Sequence, residues 1–117
     1  MSRRTQRINE LLQAEISQLL VRSVQDPRVR RTSVAAVDVS PDLRRAVVHV
    51  SVLDDAQRDD SLAALRHAAG FLRHQLALRL RHMRVIPELV FEIDRGAEHS
   101  QRISDLLERL HDNDKSA

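Results

Sequence analysis

Apolar residues recur at spacings of three and four in two long segments of the chain, which is the periodicity of an amphipathic helix. The first predicted helix spans residues 3–24, with apolar positions at Ile8, Leu12, Ile16, Leu19 and Leu20. Asp26 and Pro27 end it, because the residue before a proline is disfavoured in the helical conformation. The second predicted helix spans Ser61–Ile86, with apolar positions at Leu62, Leu65, Ala69, Leu72, Leu76 and Leu80. Pro87 is expected to end this helix.

Three other segments alternate between apolar and polar residues, which predicts β-strands with one buried face. Two of them, residues 32–40 and 46–52, flank the turn signal Ser40-Pro41-Asp42 and predict a hairpin. The third spans residues 88–94 and is followed by an Arg95-Gly96 turn. Ile103, Leu106, Leu107 and Leu110 predict a short final helix. We therefore expect one α-β-β-α-β-α domain over residues 1–111 and a short polar tail over residues 112–117.

Length and composition narrow the class of protein. A chain of 117 residues is long enough for one domain with a core and too short for two. The absence of cysteine excludes disulfides and thiolate metal sites. The N-terminus has no apolar signal core, and no apolar run approaches the length that spans a membrane. The expected location is therefore the cytoplasm, away from membranes.

The charge is unevenly distributed, although the formal net charge is only +2. Of 19 basic residues, 18 are arginine and only Lys115 is lysine. The segment Ser61–Ile86 carries five arginines and no acidic residue, and residues 1–31 carry seven arginines against three acids. The segments that follow them, residues 32–60 and 87–117, contain more acidic than basic residues. Two parts of the chain are thus suited to bind an anion.

On a helical wheel, the leucines of the second helix gather on one side and the basic residues on another. The basic face consists of Arg66, His67, Arg73, His74 and Arg81, with Ala63, Gly70 and Ala77 among them. Small residues between long basic ones would let a phosphate backbone come close while guanidinium groups reach it from the sides. A solvated helix face is the alternative, but such a face usually mixes charges of both signs. The predicted RNA-binding set is completed by Arg84, Arg28, Arg30 and Arg31.

Gly70 lies in the middle of this predicted helix, where glycine costs about 1 kcal/mol relative to alanine. A kink at Ala68, Ala69 and Gly70 would redirect the second half of the helix. Such a kink could bury Phe71 and Leu78 and free backbone N–H groups for a phosphate. Alternatively, the glycine permits close packing of the helix on the sheet, and both interpretations can hold together.

Catalytic and metal chemistry find little support in the sequence. No pair of histidines has the i, i+4 spacing of a helical zinc site, so no metal is expected. A cysteine nucleophile, a glycine-rich phosphate loop and a serine elbow are all missing, so neither an enzyme, a cofactor nor a small-molecule substrate is expected. The acidic segment Asp54–Asp60 could hold Mg²⁺, but a helix-capping loop is favoured. With no Trp or Tyr, RNA recognition on an aromatic platform is disfavoured.

Four segments in order resemble the ribosome-binding factor A family, over roughly residues 4–110. They are Gln25-Asp26-Pro27-Arg28, Val37-Asp38-Val39-Ser40-Pro41-Asp42-Leu43, Ala68-Ala69-Gly70-Phe71-Leu72-Arg73 and Arg84-Val85-Ile86-Pro87-Glu88-Leu89-Val90-Phe91. The resemblance implies an α+β fold, a type II KH-like domain with a three-stranded sheet packed on helices. With the short C-terminal helix, the implied order is α-β-β-α-kink-α-β-α. The kink, at Ala68, Ala69 and Gly70, would replace the GxxG loop that clamps nucleotides in other KH domains.

The resemblance also implies a function. Members of this family are bacterial assembly factors that bind free 30S subunits near the 5′-terminal helix of 16S rRNA, during late maturation and rRNA processing, with a link to cold adaptation. The leading hypothesis is thus a non-enzymatic, monomeric rRNA-binding factor. The chain departs from the family at His49, where an aromatic residue is common, and at Arg95-Gly96. A KH-like domain for another RNA and an adaptor for an acidic protein remain as alternatives, with an enzyme a distant third.

Overall fold

In the computed structural model, which describes residues 2–94, helix α1 comprises Arg3–Arg22. It begins where the Ser2 hydroxyl accepts the backbone N–H of Thr5 at 3.1 Å, a side-chain cap of an otherwise unpaired donor. Its residues Leu12, Ile16 and Leu19 are almost completely buried, as their spacing predicts. The helix ends two residues earlier than predicted, with Ser23 as its C-cap.

A four-residue helix, α2, spans Pro27–Arg30, where the sequence predicted only the end of α1. Asp26 caps it by accepting the Arg28 backbone N–H at 2.9 Å, and Pro27 occupies the first turn, where no N–H is needed. Val29 is fully buried and holds α2 against the rest of the fold. Asp26 and Pro27 therefore begin a new helix, whereas the sequence predicted only that they end α1.

The sheet has the strand order β1-β2-β3, with β1 at Thr32–Val39, β2 at Arg45–Val52 and β3 at Glu88–Ile93. The predicted hairpin is confirmed: β1 and β2 are antiparallel, with Val37 opposite Val48. A shift in register between Val34 and Ala36 marks a β-bulge. Strand β3 pairs with β2 in parallel, which requires a crossover connection between them.

The crossover is helix α3, Arg58–Arg79, which differs from the prediction at both ends. It begins three residues before Ser61, because a 3-10 turn at Asp55–Gln57 leads directly into it. It ends well before Pro87: Leu80 leaves the helix with φ −111° and ψ 51°, and the chain crosses to β3 without regular structure. Leu80 and Pro87, the two ends of this connecting segment, are buried, and the helix has already ended at Arg79, with residues 80–86 between it and the proline.

Helix α3 continues through Ala68–Gly70 as one helical element, so the two halves of the long helix are not separated by a loop. The kink at Ala68, Ala69 and Gly70 stays a prediction. Glycine lowers helix propensity by about 1 kcal/mol but keeps its backbone N–H, so by itself it does not interrupt the hydrogen-bond ladder.

The core lies between the helices and one face of the sheet. Leu65, Leu72 and Leu76 of α3 are fully buried, as are Val48 and Val50 of β2, while Phe91 of β3 is 1% exposed. On the opposite face of the sheet, Arg45, Ser51, Glu88 and Glu92 are exposed. The layers are therefore helices on one side and an open sheet face on the other. The predicted final helix near residues 103–110, the Arg95-Gly96 turn and the polar tail lie outside the described residues.

Candidate nucleic-acid interface

The side of α3 that faces away from the sheet carries the residues predicted to bind RNA. Arg66, His67, Gly70, Arg73 and His74 are all exposed or partly exposed, as are the small residues Ala63 and Ala77. The leucines that separate them in sequence are buried on the opposite side. The helical periodicity therefore placed these five residues correctly on one accessible face.

Gly70 lies in open space on this face. A Cβ atom built on it would meet nothing within 4 Å among the described residues beyond its own stretch of helix. Close packing of α3 on the sheet therefore does not explain the glycine. The remaining structural consequence of a missing side chain here is that an external group can approach the helix backbone closely.

Phe71 and Leu78 correct a further expectation. A kink was predicted to bury them, but they are 46% and 48% exposed. They are seven residues, or about two turns, apart on one helix, so they project in nearly the same direction beside the basic face. The surface of α3 therefore presents an apolar ridge next to a basic one.

Arg73 is exposed to solvent and also makes a contact within the fold. Its Nε and Nη2 atoms donate to the backbone oxygen of Ile86 at 3.2 and 3.0 Å, which ties α3 to the segment before β3. Arg66 approaches the Phe91 oxygen less closely, at 3.5 Å. A guanidinium has five N–H donors, so both arginines keep donors for an external anion.

Arg81 and Arg84 do not lie on the basic face, because α3 ends at Arg79 and both residues belong to the connecting segment that follows. Both are exposed. Arg79, the other arginine of this half of the acid-free stretch, is paired with Glu15 of α1 at 2.9 Å. It also donates to the side-chain oxygen of Gln18 at 3.1 Å. Its charge is therefore compensated within the fold, which charge counting along the chain cannot reveal.

The predicted arginines at α2 form a separate group near the beginning of α3. Arg31 donates to the side-chain oxygen of Gln57, and Arg28 interacts electrostatically with Asp60. Arg28 also makes a two-point contact with Asp26, with Nε–Oδ1 and Nη2–Oδ2 distances of 3.1 and 2.8 Å. The structure thus separates the predicted site into α2, the exposed face of α3, and the segment after α3.

The hydrogen bond and charge of Arg28 lower the pKa of Asp26 from 3.8 to about 2. Because the folded-state pKa is depressed, the stabilisation by ionised Asp26 is fully present above pH 3.8 and is lost as pH falls through about 2. Replacing Arg28 with Gln should move the pKa of Asp26 back toward 3.8. Carboxyl chemical shifts followed by NMR during an acid titration measure this, with Asp42 as an internal reference. An Asp26 pKa that does not change in the variant would contradict the assigned cause.

The acidic segment before α3 caps the 3-10 turn at Asp55–Gln57 rather than α3 itself, whose N-cap Gln57 makes no side-chain cap hydrogen bond. Asp54 accepts the Ala56 backbone N–H at 3.0 Å, and Asp55 pairs with Arg58 at 2.9 Å. Within residues 2–94, no three His, Asp or Glu side chains gather in a group that could hold a metal ion. In the same part of the chain, no helix is long and apolar enough to cross a membrane.

His49, one of the family departures, lies away from α3. It is part of β2, on the sheet face opposite the helices, and its Nε2 is 3.1 Å from Asp38 Oδ2. The departure therefore leaves the basic face unaltered.

The sequence did not single out Arg4, in the first turn of α1. The structure places it beside His82 and Arg84 around one cleft, together with Leu43 of the β1–β2 turn. These residues come from three segments distant in the chain, so only the sheet topology could have predicted that they meet.

Comparison with known proteins assigns a family to this arrangement. The model of the family described as ribosome-binding factor A matches residues 4–107. A curated ribosome-binding factor A from Desulfitobacterium hafniense is 46% identical over 105 residues, covering 89% of this chain and 83% of the relative.

Two known structures resemble the fold. The crystal structure of ribosome-binding factor A from Thermus thermophilus is 28% identical, has a TM-score of 0.68, and the match covers 76% of this chain and 94% of that one. A homology model of the Thermus thermophilus factor, fitted into a cryo-electron-microscopy map of a 30S complex, is 31% identical. Its TM-score is 0.54, and the match covers 73% of this chain and 93% of that one. These likenesses confirm the predicted α+β, KH-like fold class.

Proposed function

Because the chain belongs to the ribosome-binding factor A family, we propose that it binds free 30S ribosomal subunits through 16S rRNA. A relative seen with the 30S subunit supports the choice of partner. Binding takes place near the 5′-terminal helix of 16S rRNA, during late maturation of the subunit and processing of its rRNA. The protein acts there without catalysing a reaction, as a monomer in the cytoplasm, and residues 1–111 act as one RNA-binding domain.

The single observation that carries this proposal is the exposed face of α3 between Ala63 and Ala77, which carries no acidic residue. The acids of this helix, Asp59 and Asp60, lie in its first turn. Arg66 and Arg73 project from the exposed face on either side of Gly70, and His67 and His74 lie beside them. A phosphate that approaches the bare backbone at Gly70 comes within reach of both guanidinium groups. RNA held in this way is recognised through its backbone and shape rather than by stacking of its bases.

The other basic groups have secondary roles in this proposal. Arg81 and Arg84 extend the positive surface beyond the end of α3, at the opposite end from α2. Arg30 and Arg31 extend it at the beginning of α3. Arg28 contributes least, because its charge is shared with Asp26.

Co-sedimentation of the full chain with purified 30S subunits at increasing salt tests the proposal. The logarithm of the binding constant should fall linearly with the logarithm of salt concentration, by about 0.7 to 0.9 per phosphate contacted. With the two arginines of the α3 face and the four flanking arginines named above each contacting one phosphate, a slope of about −4 to −5 is expected. Crosslinks to 16S rRNA should map near its 5′-terminal helix.

Two controls separate this proposal from its alternatives. An adaptor for an acidic protein would keep its partner after nuclease digestion, whereas an rRNA-binding factor would lose it. A KH-like domain for some other RNA would be displaced from 30S subunits by an equal mass of unrelated RNA. Retention after nuclease treatment, or full displacement by unrelated RNA, would refute binding to 30S subunits through 16S rRNA.

A further inference from the structure

A cleft of about 490 Å³ opens where α1 begins, at the end of the molecule that also holds the β1–β2 turn and the segment after α3. Its apolar wall includes Ile8, Leu43 and Val85. Its polar rim consists of Arg4, His82 and Arg84. Val85 is 41% exposed, so part of this apolar wall is open to solvent. The cleft thus combines an apolar interior with a cationic rim.

The two arginines that line this cleft are not held in salt bridges by the described residues. Arg4 and Arg84 are exposed, and neither forms a salt bridge within residues 2–94. Asp42 is the acid nearest to them in the turn. It lies with Arg4 around an adjoining cleft, and its Oδ1 accepts the Ser40 hydroxyl at 2.7 Å and the Arg44 backbone N–H at 3.1 Å. An anion at the rim would therefore meet two guanidinium groups that no salt bridge within residues 2–94 holds.

Leu43 supplies an independent indication that the cleft is built for contact. Its φ is 63°, and it is the only non-glycine residue with positive φ in the described part of the chain. The left-handed conformation is unfavourable for a leucine, and glycine or asparagine usually occupies it. The turn enforces it, since the Leu43 N–H donates to Ser40 O at 2.8 Å and the Arg45 N–H donates to the Ser40 hydroxyl at 3.1 Å. The strain places a branched apolar side chain partly on the core and partly in the cleft wall.

We propose that this cleft binds one unstacked nucleotide of single-stranded RNA. The base lies against Leu43 and Val85, and the guanidinium groups of Arg4 and Arg84 bind the phosphates on either side of it. A duplex would offer only phosphates and would leave the apolar wall uncovered, so an unpaired segment fits better. The inference rests on the proposed function, and it adds a second contact at the far end of α3 from α2. One domain would then hold two separate stretches of the same RNA.

The test uses the full chain and a short single-stranded oligoribonucleotide that contains 4-thiouridine, with photo-crosslinked peptides identified by mass spectrometry. Crosslinks to the peptides that contain Leu43 or Val85 are expected. Arg4→Ser should weaken binding of the single strand about tenfold, the effect of about one phosphate contact in dilute salt. Leu43→Gly should weaken it several-fold and leave binding of a duplex of equal length unchanged. Arg22→Ser removes an exposed arginine of α1 elsewhere and should have little effect on either.

The outcomes distinguish failure of the cleft proposal from failure of the proposed function. If crosslinks fall only within α3 while 30S binding persists, the cleft is refuted and the function stands. If Leu43→Gly weakens single-strand and duplex binding equally, the assignment to an unstacked base is wrong. Arg4→Ser, at an exposed position, keeps the test valid should Leu43→Gly destabilise the turn. A wild-type chain that binds neither oligonucleotide nor 30S subunits would overturn both proposals.

Discussion

Replacing Gly70 with glutamate is expected to stabilise the fold and at the same time to weaken binding to 30S subunits. Glutamate is a better helix former than glycine by about 0.5 to 1 kcal/mol, and its side chain has open space at this position. Arg66 lies four residues away, and its pairing with the glutamate adds a few tenths of a kcal/mol. The same carboxylate would repel a phosphate at the centre of the face. We expect the binding constant to fall about tenfold or more, which corresponds to the loss of at least one phosphate contact.

Thermal or denaturant unfolding measures the first effect, and co-sedimentation with 30S subunits at one fixed salt concentration measures the second. Gly70→Arg is the matched control, since it adds a long side chain of opposite charge and should retain binding if charge is the cause. Gly70→Ala should raise stability by about 1 kcal/mol. If it also weakens binding, close approach of the backbone matters in addition to charge. Unchanged 30S binding by Gly70→Glu would show that this face does not contact rRNA.

Leu72→Ala is expected to destabilise the protein by about 2 to 5 kcal/mol, whereas Phe71→Ala should change stability by less than about 1 kcal/mol. Leu72 is completely buried, so truncation removes buried apolar surface and leaves a cavity. Phe71 is the adjacent residue but is 46% exposed, and alanine is the better helix former at its position. A loss of several kcal/mol is a large share of the roughly 5 to 15 kcal/mol by which domains are usually stable.

Urea unfolding of the two variants, followed by circular dichroism, compares neighbouring positions on one helix. The pair also tests the exposure of Phe71, because a kink at Gly70 was predicted to bury this residue. Equal destabilisation by the two substitutions would mean that Phe71 is buried, contrary to the exposure described above.

The predictable part of the fold is the part in which burial repeats with the period of the backbone. Val48 and Val50 alternate with half-buried or exposed residues on β2, and Leu12 and Ile16 recur on α1, so one face of each element was evident. The end of α3 was not evident, because Leu80 continues the helical spacing of the buried leucines although it lies just beyond the last helical residue. Helix α2 was missed because four residues are too few to show a period.

The residues of the candidate site also fall into those that the sequence could place and those that it could not. Arg66, His67, Arg73 and His74 could be assigned to one face because they lie within one helix, where sequence spacing fixes direction. Arg81 was misplaced once the helix was assumed to continue. The pairing of Arg79 with Glu15 joins positions 64 residues apart, and the cleft at Arg4 and Arg84 joins three segments. Contacts of that kind depend on tertiary structure and leave no local pattern in the sequence.

The parallel pairing of β3 with β2 has a consequence for how the chain reaches this structure. Phe91 lies opposite Val48, 43 positions earlier, whereas the β1–β2 hairpin closes over a short turn. Loop closure over so many residues is entropically expensive, and non-local strand pairing slows folding relative to helical bundles. During synthesis, the hairpin and α1 are complete long before β3 leaves the ribosome. Until then, Val48 on the apolar side of β2 lacks its partner Phe91. The last described strand thus sets the moment at which the core can close.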